Sequence, residues 1–173
     1  MIGWAQWGPF FMIFYGIVSK DNFMEGEWLD EPDLGVWDPG YDNLVCIIGR
    51  HKGGHFCGYV GVNNTMSNLV SQLATNCLAA HAHYLECHGG VTFRGHNPIN
   101  HLLQGGEYSW LNSYYYVGFD CAHGKDICFL NKDICGTRLR YYGDEIYRNW
   151  DYVREQCQSL AHQLHALMAS QVG

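Results

Sequence analysis

Two short stretches concentrate the residues that could do chemistry. The first runs Tyr114-Tyr115-Tyr116-Val117-Gly118-Phe119 and then Asp120, Cys121, Ala122, His123, Gly124, Lys125 and Asp126. Its aromatic and β-branched half favours a pleated, packed strand. Two carboxylates and an imidazole follow where the apolar run stops, beside a turn-forming glycine. Polar groups at the end of a buried strand are presented from a rigid support. The second stretch is Cys87-His88-Gly89-Gly90-Val91-Thr92-Phe93-Arg94. An imidazole beside two glycines sets a titrating group next to accessible backbone amides, which suits an anionic ligand or proton transfer. The plainer alternative is a helix terminus where His88 only complements the dipole, with Gly89 as the C-cap.

Several chemistries compete for these residues. Structural zinc is disfavoured, because the eight cysteines include no closely spaced pair of the C-x₂-C kind. Asp120, His123, Asp126 and His88 have the residue types of a metal-dependent phosphoesterase, but their spacing fits no zinc-hydrolase motif. Without a metal, His88 and His123 could act as acid and base on a phosphodiester, with Asp120 assisting. Cys121 as a nucleophile lacks a matching local signature. Binding without catalysis needs less: an aromatic face for a base, donors for phosphate, carboxylates for ribose hydroxyls. Tyr59 or Trp110 could stack, His88, Gly89, Gly90, Thr92 and Arg94 could meet phosphate, and Asp120, His123 and Asp126 could complete the site. This reading requires no metal and no cofactor.

The elements that must position these residues are partly legible. Residues 10–18 read as a buried strand or short helix, and residues 19–43 as loop, rich in proline and turn pairs. The carboxylates of that loop read as solvated, or else as a divalent-ion site or a lid carrying Trp28 and Trp37. Leu44–Ile48 and Phe56–Val62 read as two strands paired in an antiparallel hairpin. Gly58 and Gly61 leave room there for a backbone or a ligand to approach. The connection, with Gly53-Gly54 among Arg50, Lys52 and His55, reads as a plain turn or an anion site, though not a Walker loop. Residues 66–86 read as a helix on the spacing of Leu69, Leu73, Cys77, Ala80 and Tyr84. Residues 145–169 read as the clearest helix, with Asp144 as its N-cap and His162 and His165 facing solvent. Residues 96–113 read as loop or short helical turns, and residues 127–143 as irregular. The expected fold is α+β: one domain over residues 1–173, its small, mainly antiparallel sheet packed against two amphipathic helices.

Composition narrows the partners. A chain of 173 residues suits one core, and a net charge of −7 with scattered Lys and Arg weighs against duplex nucleic acid. Only Lys132, Arg138 and Arg140 group loosely. The apolar run Phe10–Tyr15 is too short to cross a membrane and better suits a buried strand or an oligomer contact. No secretory signal is recognisable, and several cysteines sit inside apolar segments, so a reduced, cytosolic protein is expected.

The blocks Phe56-Cys57-Gly58-Tyr59-Val60-Gly61-Val62, His88-Gly89-Gly90-Val91-Thr92-Phe93, Val117–Asp126 and Tyr147-Arg148 through Leu164 together resemble a group of small, uncharacterised proteins of bacteriophages and prophages. The resemblance spans residues 44–168 and departs between Val62 and His88, where a helix stands in place of a glycine-rich loop. Small phage proteins of this kind include inhibitors of bacterial immunity that sequester cyclic nucleotide signals or cleave them. The resemblance thus implies an anti-defence protein in the host cytoplasm that binds a nucleotide-type signal. The alternatives are a phosphodiesterase using His88 and His123, and a structural or interaction protein.

Overall fold

The computed structural model describes residues 10–21, 23, 25–75, 85–100, 102, 106–128 and 144–170. Six strands form one sheet: β1 (Phe11–Phe14), β2 (Leu34–Trp37), β3 (Leu44–Arg50), β4 (Phe56–Asn63), β5 (Phe93–Gly95) and β6 (Tyr114–Asp120). Their order is β1-β2-β3-β4-β6-β5, and every neighbouring pair is antiparallel. Helices α1 (Ser67–Ala74) and α2 (Trp150–Ser170) complete an α+β fold. Among the described residues no helix is long and apolar enough to cross a membrane.

The two central strands, β3 and β4, are buried on both faces, which explains their near-continuous apolar sequence. Alternation along β3 sends Cys46 and Ile48 to one cluster and Val45 and Ile47 to the other. The first cluster lies under α2, whose buried stripe is Trp150, Val153, Cys157, Leu160, Ala161, Leu164 and Met168. That three-and-four spacing is what allows a long helix to lie along a sheet. The second face is covered by Ile99, Leu102, Tyr108, Trp110 and Leu111, together with side chains of β1. At Gly58 a Cβ would stand 2.6 Å from Cys157 Sγ and 2.5 Å from the Phe119 ring, so this close approach admits α2 and an aromatic ring, not a ligand.

Several expectations change. The segment 19–43 is not simply loop: Leu34–Trp37 forms β2, an interior strand, too short and too closely flanked by Pro32 and Pro39 for periodicity to reveal. Helix α1 is described only over Ser67–Ala74; Cys77, Ala80, His81, His83 and Tyr84 lie outside the described residues, as do Lys132, Arg138 and Arg140. Gly89 caps no helix. It has φ 64°, and the hydrogen bond from Gly90 N to Cys87 O (3.0 Å) places it third in a tight turn. Helix α2 begins at Trp150, not beside Asp144. Residues before it run extended, Ile146 bridging to Asp126, and Asn149 is the cap: its side chain accepts from Tyr152 N (3.0 Å) and its carbonyl from Val153 N (3.1 Å). His162 and His165 are exposed but engaged by Tyr41, which bonds the first ring at 3.0 Å and stacks on the second at 4.6 Å.

Candidate functional site

The end of β6 and the Gly-Gly turn do meet, as the spacing alone could not establish. Strand β6 stops at Asp120, whose Oδ1 accepts from Ala122 N (3.1 Å) and turns the chain away from β4. Residues 123–126 close a second turn: Asp126 N donates to His123 O (2.8 Å), and His123 N donates to Asp126 Oδ2 (3.0 Å). The Asp126 carboxylate is thereby drawn inward, its side chain only 2% exposed. From the other side, Thr92 N bonds Gly118 O (2.9 Å) and Thr92 Oγ1 donates to Asp120 Oδ2 (2.9 Å), tying residues 88–92 alongside β6. Gln163 of α2 holds both backbone groups of Glu86, at 2.7 and 2.8 Å.

His88 joins these pieces. Its Nε2 donates to Asp126 Oδ2 (2.7 Å), and because a carboxylate only accepts, that nitrogen carries the proton. Its Nδ1 pairs with Tyr152 OH (3.0 Å). Both ring nitrogens are thus committed. Asp126 Oδ1 accepts from Arg148 Nε (3.0 Å). Burial by itself would raise the Asp126 pKa. The hydrogen bonds from His88, Arg148 and His123 N outweigh it and hold the carboxyl below its ordinary 3.8.

His123 is placed differently. Its ring lies 5.2 Å from that of His88 and packs directly over Gly89, where any side chain would collide with it. Its Nε2 is buried with no hydrogen-bond partner; the nearest carboxylate oxygen, Asp120 Oδ1, is 3.9 Å away.

His88, Gly89, Gly90, Thr92, Asp120, His123 and Asp126 therefore form one cluster. Arg94 is exposed on β5, where its charge acts on Cys87. The expected stacking rings are elsewhere. Tyr59 is buried in the opposite cluster, edge-on to Phe93 (5.3 Å) and packed over Gly118. Trp110 packs against Phe10 (5.3 Å) on that same face. The recess lined by Gly49, His51, Cys57, Tyr59, Ile99 and Leu102 holds about 10 Å³, room for a single water. Periodicity could place those rings near β4 and β6 but not on a face shared with His88.

Arg148 and Tyr152 are the residues that the spacing argument missed. Both lie before or within the first turn of α2, sixty residues from His88 in sequence, and only the docking of α2 brings them in. The available signal was the mixed polar and aromatic run Tyr147-Arg148 through Tyr152 at a helix start.

The other candidate groups are placed as follows among the described residues. No group of three or more described His, Cys, Asp or Glu residues is arranged to hold a metal. The described cysteines are free, and burial raises the Cys121 thiol well above its ordinary value, so it is no ready nucleophile. The 50–55 turn is not an anion site: Gly53 N and Gly54 N bond His51 (3.1 and 2.8 Å), and Arg50 is fully buried. The acidic loop is neither lid nor ion site at Glu31 and Asp33, which pair with Arg50 (3.1 and 3.2 Å), while Trp28 packs on Tyr147 and Trp37 in the core.

No family model, no curated protein and no solved structure matches the chain.

Proposed function

We propose that the protein is a binding module that captures a small nucleotide-type ligand and withholds it, rather than an enzyme that cleaves it. The observation that carries this reading is the commitment of both His88 ring nitrogens, one to buried Asp126 and one to Tyr152. An acid–base pair acting on a phosphodiester needs two imidazoles free to exchange protons with the substrate. Here one imidazole is a brace, and of the pair only His123 keeps a ring nitrogen, Nε2, without a hydrogen-bond partner. Such a brace suits preorganised binding, in which donors are held in place before the ligand arrives. The biological setting we propose, inhibition of host anti-phage defence in the host cytoplasm, rests on the resemblance of the four sequence blocks and not on this geometry.

The test is a melting screen against cyclic mononucleotides and dinucleotides, followed by denaturation and recovery of the nucleotide. Capture predicts a raised melting temperature and intact nucleotide. Recovery of a linear product would instead establish the phosphodiesterase. If no nucleotide shifts melting, and Asp120→Ala alters only stability, the cluster is structural.

A further inference from the structure

Arg148 is held on one edge and one face only. Its Nε bonds Asp126 Oδ1 (3.0 Å), and its guanidinium carbon lies 4.8 Å above the centre of the Tyr152 ring. Neither terminal nitrogen has a hydrogen-bond partner among the described residues, and the side chain is 22% exposed. The contrast with Arg50 is direct, since there every guanidinium nitrogen meets an acceptor. An arginine fixed at Nε and over an aromatic ring points its two terminal N–H groups as a rigid fork, which matches two oxygens of a phosphoryl group.

His123 shares its anchor. Arg148 Nε takes one oxygen of Asp126 and the His123 backbone N–H takes the other, so a single buried carboxylate sets the separation of the two residues. The His123 ring carries a buried Nε2 without a partner, a cost that a bound acceptor would remove. Polar capacity without a hydrogen-bond partner thus occurs on both residues that the Asp126 carboxylate anchors.

We propose that Arg148 and His123 form a phosphate-binding fork, with Asp126, His88 and Tyr152 as its positioning residues. The inference deepens the nucleotide-capture reading and rests on it for the rest of the ligand: it assigns the phosphoryl group to this end of the site. The fork takes two non-bridging oxygens, and the His123 ring, turned off Gly89, donates to a third.

The experiment is an NMR titration of the full chain, following the Arg148 Nε–H and the His123 ring resonances. The probes are adenosine 5′-monophosphate, adenosine and inorganic phosphate. The fork predicts saturable shifts at both residues with the monophosphate and with inorganic phosphate, and binding of adenosine weaker by about tenfold or more. Arg148→Lys, which keeps the charge and loses the fork, should weaken monophosphate binding by about tenfold. Shifts at neither residue in the wild-type chain would overturn the proposal without reference to any variant. So would unchanged affinity in Arg148→Lys. The two readings fail separately. A cyclic nucleotide that binds Arg148→Gln as tightly as the wild type keeps capture and removes the fork. Phosphate that binds at Arg148 while no nucleotide binds more tightly keeps the fork and removes capture.

Discussion

Two polar networks lie at the start of α2, each built on an arginine and a buried carboxylate, and they are finished differently. In the first, Arg50 is wholly buried. It bonds Asp33, Glu31 and the carbonyls of Trp28, Pro32 and Gly54, and lies 4.0 Å from the Phe56 ring centre. Glu31 also accepts from Trp150 N (3.0 Å) and from Tyr147 OH, while Asp33 takes the backbone of Ile17 and Val18 (2.9 and 3.2 Å). In the second network Asp126 is equally well served, by His88, Arg148 and His123 N, yet the terminal nitrogens of Arg148 and the buried Nε2 of His123 have no hydrogen-bond partner among the described residues. A dry ion pair holds structure only when every group is satisfied. The first network meets that requirement and clamps the 27–33 segment to the helix. The second meets it at the carboxylate and stops short at Arg148 and His123.

Substitutions should separate the two. Arg50→Met leaves Asp33 and Glu31 without their shared cation and should cost about 3–5 kcal/mol in urea denaturation; a loss near zero would mean that the clamp is not structural. Asp126→Asn should cost about 2–3 kcal/mol and should also abolish the phosphate-induced shift at Arg148, which Arg50→Met refolded in stabilising salt should retain. The sign with pH follows from the lowered Asp126 pKa. Its contribution is fully present above the unfolded value near 3.8 and is lost as pH falls through the folded one, so Asp126→Asn should flatten acid unfolding there.

His55 lies between the networks. Its neighbour Gly54 accepts from Arg50, and its ring, 3.6 Å from Cys128 Sγ, feels the charges of Asp120 and Asp126. Burial first, and His51 second, lower its pKa from 6.5 to about 4. Between those values the unfolded chain binds the proton that the folded chain refuses, so stability falls as pH drops from 6.5 to about 4. The wild type should lose about 2 kcal/mol across that window and His55→Gln should not. The smallest effect should come from Gly89→Ala. Its positive φ costs about 1 kcal/mol, and the new methyl must displace the His123 ring, moving that ring's NMR signals and weakening phosphate binding while leaving the Arg50 network untouched.

Much of the fold was legible because it depends on local pattern. The apolar runs of β3 and β4 and the aromatic half of β6 read directly as strands, and the stripe from Trp150 to Leu164 as a helix. The hairpin pairing followed from proximity in sequence. What escaped was set by partners far away. Strand β2 exists because β1 and β3 flank it, and the start of α2 because Ile146 is held by Asp126 and Trp150 N by Glu31.

The candidate site divides along the same line. Sequence alone determined that imidazoles, carboxylates and a Gly-Gly turn fall at the end of one strong strand and beside a short one, since turn chemistry and strand termination are local properties. It also determined which side chains could donate or accept. The tertiary structure decided which of them meet. It sent Tyr59 and Trp110 to the opposite face, because side chains alternate across a sheet and register assigns the faces. It brought Tyr152 and Arg148 to His88 and Asp126, because α2 must lay its apolar stripe on β3 and β4 and its first turn then lands there. It made one arginine a buried clamp and the other an open fork, a difference of solvation and partners that residue type cannot carry.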